Sequence, residues 1–116
     1  MKLDRKTRTK DLTAAVKQFC WAHGGYCWRN NNQPRIIKGA PVFVDHMSIG
    51  SPDLICAMPN GVTLWVEIKV SPDKMRESQL AFQQEMANRG HFYIVVYDTM
   101  DSLIDVVEGL EKGAAK

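Results

Sequence analysis

Asp53, Glu67 and Lys69 are the residues whose types and spacing could do chemistry. Glu67 and Lys69 sit two apart in "LWVEIKV" (64–70), a run with the composition of a buried strand. Side chains alternate across a strand, so the two charges share one face while Leu64, Val66, Ile68 and Val70 share the other. Upstream, "PDLICAM", then "PNG", then "VTLWVEIKV" read as a β-hairpin. Pro59-Asn60-Gly61 suits a three-residue loop, a type I turn closed by a left-handed Gly, which sets Met58 opposite Val62. Asp53 then falls opposite Glu67. Leu54, Cys56, Met58, Val62, Leu64, Val66 and Ile68 form one apolar face, and Asp53, Glu67 and Lys69 gather at the open end of the other. A two-residue loop would shift the pairing by one and split the carboxylates between faces.

Two carboxylates held together repel, and a divalent cation between them offsets that cost. Mg²⁺ takes one or two carboxylates and fills its other positions with water and phosphate oxygens. A neighbouring Lys supplies positive charge where an oxyanion develops, or orients a metal-bound water. The set suits phosphodiester hydrolysis. The plainer alternative is a structural salt bridge at a sheet edge, and the hairpin register argues against it.

The elements that must position these residues follow from periodicity. Leu12, Ala15, Val16, Phe19 and Cys20 lie on one face of a helix, with Thr7 or Thr9 as candidate cap and Gly24-Gly25 as its end. "GYCWRNNNQ" is an aromatic strand running into a polar loop, and "PRIIKGAPVFVDHMSIGS" is an irregular segment with some strand in it. After the hairpin come a loop and a helix ending at Gly90, the strand "HFYIVVYD", and a last helix carrying Leu103, Ile104, Val107 and Leu110. The order α-β-(loop)-β-β-α-β-α implies an α/β fold, a central mixed sheet flanked by helices. The expectation is a single domain over residues 1–116, with a basic N-terminal extension (1–8) and a short tail (112–116).

Composition bounds the partners. Of 116 residues, 45% are hydrophobic and 24% charged, ordinary for a globular domain. No apolar run approaches the roughly 20 residues needed to cross a bilayer, and "MKLDRKTRTK" leads into no apolar stretch of a secretory signal. The expectation is a cytoplasmic protein with no membrane partner. Cys20, Cys27 and Cys56 form no even-numbered framework and no C-x-x-C pair, so free thiols are expected. The net charge of +2 hides an asymmetry: residues 1–38 hold nine Lys/Arg and two Asp, residues 39–116 hold six Lys/Arg and eleven Asp/Glu. A basic third suggests an anionic partner, most simply nucleic acid. Lys2, Arg5, Lys6, Arg8, Lys10, Lys17 and Arg29 are the candidate phosphate contacts.

Taken together, Pro52-Asp53 and Glu67-Ile68-Lys69 resemble the signature of the PD-(D/E)xK nucleases. More narrowly the chain resembles the virus-type replication-repair nuclease family, VRR-NUC, over roughly residues 9–110. Gly50-Ser51-Pro52-Asp53 matches that family's G-x-P-D motif; Gln79, Phe82 and Gly90 match the helix after its E-x-K strand. The resemblance implies a restriction-endonuclease-like core in which Asp53, Glu67 and the Ile68 carbonyl hold Mg²⁺, with Mn²⁺ able to substitute. Lys69 would assist catalysis and Gln79 would support the site. It further implies a structure-selective DNA endonuclease acting on branched DNA such as four-way (Holliday) junctions, as a homodimer in the manner of short phage-encoded members; a phage origin would place it in a bacterial cytoplasm. The alternatives are a catalytically inactive DNA-binding subunit and a monomeric flap or fork nuclease. Two departures stand out. The family's first-helix Glu has no counterpart in "RTKDLT", where Asp11 is the nearest acid, and Arg76 stands where the family favours Ser.

Other groups read more plainly. Ser71-Pro72-Asp73 follows the E-x-K and reads as a turn or helix start. Cys20, His23 and Cys27 match none of the familiar zinc spacings. "WRNNN" (28–32) fits nucleic-acid stacking or a polar turn about equally. His46 is a loop histidine with either no role or a proton-shuttle role. Ile36, Ile37, Val42 and Phe43 are apolar material for a dimer interface or for the chain's own core.

Overall fold

The computed structural model describes residues 3–30, 35–37, 40–42 and 49–114, and only the backbone of 35–37 and 40–42. Lys2, Phe43 and His46 lie outside the described residues. The elements run α1 (Arg5–Ala22), β1 (Tyr26–Arg29), β2 (Arg35–Ile37), β3 (Ala40–Val42), β4 (Leu54–Met58), β5 (Val62–Lys69), α2 (Glu77–Asn88), β6 (Phe92–Tyr97) and α3 (Asp101–Ala114). The main sheet has the order β1-β4-β5-β6, and β2 pairs with β3 as a separate ribbon. Neighbours are antiparallel except β5 and β6, which are parallel and joined through α2. The sheet is therefore mixed.

The hairpin register is the one the alternation demands. Met58 pairs with Val62, Cys56 with Leu64 and Leu54 with Val66. The turn itself differs from expectation. Asn60 as well as Gly61 has positive φ (67° and 75°), so the loop is not a type I turn. Asn tolerates this region where most side chains do not.

Even-numbered positions of β4, β5 and β6 face inward. Leu54, Cys56, Leu64, Val66, Ile94 and Val96 are buried there against Leu12, Val16 and Cys20 of α1 and Leu103 and Val107 of α3. On the opposite face α2 covers β5 and β6, where Phe82 packs between Trp65 and Tyr93 with ring centroids 6.3 and 6.0 Å away.

Helix α1 begins earlier than the apolar pattern suggests. Asp4, not Thr7 or Thr9, is the cap: its Oδ1 accepts the Thr7 N–H at 2.7 Å. Asp is the stronger N-cap residue of the two types, and the Thr9 hydroxyl instead donates to the Arg5 carbonyl at 2.9 Å inside the helix. Arg5, Lys6 and Arg8 thus belong to the first turns of α1 rather than to an extension. At the other end α3 runs to Ala114, into the expected tail.

The cysteines also depart from expectation. The β1–β4 register sets Cys27 directly opposite Cys56, and the two form a disulfide. Cys20 is a free, buried thiol whose sulfur lies with theirs inside a 4.8 Å cluster. His23 is not part of that cluster; it pairs with Glu111 at 2.7 Å.

Candidate active site

The site is built where β4 begins and β5 ends. Asp53 immediately precedes β4, and its Oδ2 accepts the Ile68 N–H at 3.0 Å. That bond carries the hairpin one step past its last ladder pair and fixes the carboxylate beside Glu67. In extended backbone a residue's N–H and C=O point to the same side. The Lys69 carbonyl accepts the Asp98 N–H at 2.9 Å on the β6 side, so Ile68, one residue earlier, turns its carbonyl toward Asp53.

Asp53, Glu67, Ile68, Lys69 and Gln79 line one cleft of about 420 Å³, together with Thr9, Gly50, Ser51, Asp73, Lys74 and Arg76. The structure brings together every residue expected of the chemistry. Glu67 is only 2% exposed, whereas Asp53 is exposed. Burial first, then the Asp53 carboxylate through a hydrogen bond and through its charge, push the Glu67 carboxyl up to about 9, against the pull of Lys69 and Arg76. Glu67 Oε2 has no hydrogen-bond partner, a costly state for a buried oxygen.

The approach to the site is shaped by Gly50. Its φ is +85°, and a Cβ there would overlap the backbone carbonyl of Ser78 in the first turn of α2. Only glycine lets the chain lie this close. The contact docks the 50–53 loop on α2 and sets Gln79 beside the carboxylates. Gln79 is 3% exposed, and its Oε1 accepts the Arg76 N–H at 2.8 Å. It caps the helix and lines the cleft at once.

The departure in α1 has a structural answer. Thr9 faces the cleft, while Asp11 lies with Leu3, Arg8 and Asp98 on a different side of the helix. Asp11 therefore does not stand in for the expected Glu. A carboxylate the spacing did not single out, Asp73, does line the cleft, where it is ion-paired with Arg5. Ser71-Pro72-Asp73 is a turn, with the Asp73 N–H on the Val70 carbonyl at 2.9 Å; α2 begins only at Glu77. Tyr93 was also missed. Its buried phenol lacks a hydrogen-bond partner, and burial followed by the Glu67 and Asp53 charges raises its pKa. Only the strand register, which places Tyr93 beside Trp65, could have flagged it.

A groove of about 950 Å³ adjoins the cleft and shares Asp53 and Thr9 with it. Arg5, Lys6, Lys10, Lys17 and Arg29 line it. Arg8 does not join them, in contrast to expectation. The turn of the helix carries it to the other side, where it donates to the Ser71 carbonyl at 2.8 Å and faces Asp98 at 3.8 Å.

The donor set fits a hard divalent cation. Two carboxylate groups and a backbone carbonyl supply only oxygen, the ligand type that Mg²⁺ and Mn²⁺ prefer. The unpartnered Glu67 oxygen is the observation that a cation would satisfy.

Comparison with known proteins agrees with this geometry. A family model for the VRR-NUC domain matches residues 20–99. A solved structure described as a VRR_NUC domain superposes with a TM-score of 0.65 at 22% identity, covering 87% of this chain and 95% of that one. At that identity the superposition speaks for the fold. No curated protein matches. No helix among the described residues is long and apolar enough to cross a membrane. The family match takes in every residue from Cys20 through the last strand, more than half of the 116-residue chain, so the chain belongs to the VRR-NUC family, nuclease domains of the PD-(D/E)xK type that act on DNA.

Proposed function

We propose that this protein is a metal-dependent endonuclease that selects branched DNA, four-way junctions among them, and works as a homodimer. The observation that carries the reading is the meeting of cleft and basic groove at Asp53 and Thr9. A backbone tracked by Lys6, Lys10, Lys17 and Arg29 is delivered to the carboxylates without a separate sequence-reading element.

In this reading Asp53, Glu67 and the Ile68 carbonyl hold Mg²⁺ or Mn²⁺. Such a cation, when bound, polarises the scissile phosphate and lowers the pKa of its water. Lys69, at the rim of the cleft, orients the attacking water and stabilises charge that develops on the phosphate oxygens. Gln79 holds the start of α2 against the carboxylates.

A second reading draws on Thr9. With no acid on α1 facing the cleft, a DNA-binding subunit that no longer cleaves fits the same groove. Incubation of flaps, forks, four-way junctions and linear duplex, with Mg²⁺ and with chelator, separates the two. Cleavage of junctions in Mg²⁺ is expected, with Asp53→Ala, Glu67→Ala and Lys69→Ala inactive and still binding DNA. Wild-type cleavage by Asp53→Ala would refute the site. Binding without cleavage would favour the second reading, and a preference for flaps or forks would move the substrate to those structures.

A further inference from the structure

Three aromatic side chains stand out of the surface in one row. Trp21 is 70% exposed, Tyr26 65% and Trp28 44%. Their ring centroids are spaced 6.3 Å and 6.4 Å, with interplanar angles of 59° and 48°. At these angles the rings do not stack on one another, and their faces stay open. Exposing so much aromatic surface is costly unless something covers it.

The row has a definite place relative to the cleft. Tyr26 and Trp28 alternate with Cys27, which faces Cys56 in the inward layer, so they lie on the face of the sheet that carries Asp53 and Glu67. Trp28 pairs with Ile55, two residues along β4 from Asp53, a distance of about 7 Å along a strand. Two residues on from Trp28, the Asn30 N–H donates to the Asp53 carbonyl at 2.8 Å. At the other end Trp21 lies one helical turn beyond Lys17. Lys17 lines the basic groove beside that end of the row; Arg29, which also lines the groove, lies on the opposite face of the edge strand β1 from Trp28.

We infer that Trp21, Tyr26 and Trp28 form a stacking platform for unpaired nucleotides beside the cleft. A row of open aromatic faces adjoining a cationic groove is the chemistry of single-strand binding: the cations take the phosphates, and the rings take whichever bases are unstacked. Fully paired duplex offers no free base face to such a row. The inference rests on the nuclease reading for its purpose. Among branched substrates, flaps and forks present such bases in their single-stranded arms, and a four-way junction presents them where base pairs at the crossover open.

The test is equilibrium binding in chelator, so that cleavage plays no part. Fluorescence anisotropy of a labelled single-stranded oligonucleotide and of a fully paired duplex is measured for wild type, Trp28→Ala, Trp21→Ala and Trp28→Phe. Stacking is worth about 1–3 kcal/mol per base. Trp28→Ala and Trp21→Ala should therefore weaken single-strand binding about tenfold and leave duplex binding within about twofold. Trp28→Phe should recover most of the loss. Thermal melting checks that each variant is folded; the high exposure of Trp21 makes its variant the safer one. Equal losses on both DNAs, or no loss on single strands, would overturn the platform. So would sedimentation showing that Trp28→Ala turns a dimer into monomer, which would assign the row to a contact between copies. Absence of cleavage by wild type would count against the nuclease reading alone.

Discussion

Gly50 lies against the backbone carbonyl of Ser78, closer than any side chain would permit. This contact explains why the approach to Asp53 begins with glycine. A left-handed residue at φ +85° turns the loop, and the missing Cβ lets it rest on the first turn of α2. Gly50→Ala combines backbone strain with overlap against main chain, which cannot rotate away. A loss of roughly 2 kcal/mol or more is expected, read as a lower urea midpoint. Because the same contact places Gln79 beside the carboxylates, metal-dependent cleavage should fall in parallel. An alanine variant as stable as wild type would show that the loop is not docked there.

The raised Glu67 carboxyl leads us to expect an unusual dependence of stability on pH. The ordinary value is 4.5 and the folded value about 9. Between them the folded state keeps a proton that the unfolded chain has released. Stability without divalent metal should therefore fall as pH rises from about 4.5 to about 9, by at most about 1.4 kcal/mol per unit, and level off above. Glu67→Gln has no charge to desolvate, so it should flatten the slope and exceed wild type in melting temperature at pH 8. Mg²⁺ should stabilise wild type in that range and not the Gln variant. Chemical denaturation at several pH values, with chelator and with Mg²⁺, checks both expectations; a wild-type stability that rises with pH would contradict them.

What the sequence shows about this site depends on range. The hairpin was legible because its register rests on Pro59-Asn60-Gly61 and on strict alternation, both local. The match of Asp53 with Glu67 followed from them. The partners of Cys27 could not be read, because the β1–β4 pairing spans residues 30 to 53, where no turn signal fixes a register. The start of α1 was hidden for another reason: Arg5 to Lys10 carry no apolar periodicity, and only Asp4 announces the helix. Thr9 and Asp73 reach the cleft through tertiary packing of α1 and of the loop after β5. Spacing along the chain reports neither.

Charges on the two sides of α1 should behave differently. Lys6, Lys10, Lys17 and Arg29 line the groove, and Arg8 is held by the Ser71 carbonyl and Asp98. Neutralising the first four should reduce the slope of log K against log[salt] by up to about 3–4 for duplex DNA. Arg8→Ala should leave that slope nearly unchanged and lower stability instead, since it removes a link between α1 and the loop after β5. A salt titration of binding, alongside melting of each variant, separates the groups. An unchanged slope in the fourfold variant would remove the groove from the DNA path.

The proposed junction substrate carries an expectation about assembly. A four-way junction offers two strands for cutting at symmetry-related positions, and one chain carries one cleft. A two-fold dimer supplies two clefts whose symmetry matches the junction. The interface expected around Ile36, Ile37 and Val42 falls on the β2–β3 ribbon, whose side chains are not described, so the expectation concerns stoichiometry rather than contacts. Light scattering at micromolar concentration should give about twice the chain mass of 13.1 kDa. On a cruciform plasmid, two clefts acting within one complex should yield linear product with little nicked circle. Mixing wild type with excess Asp53→Ala should convert that outcome, because most wild-type chains then sit beside an inactive partner and leave one strand uncut. Nicked circle accumulating from wild type alone, with a mass of a single chain, would defeat the dimer and point to flaps or forks cut one strand at a time.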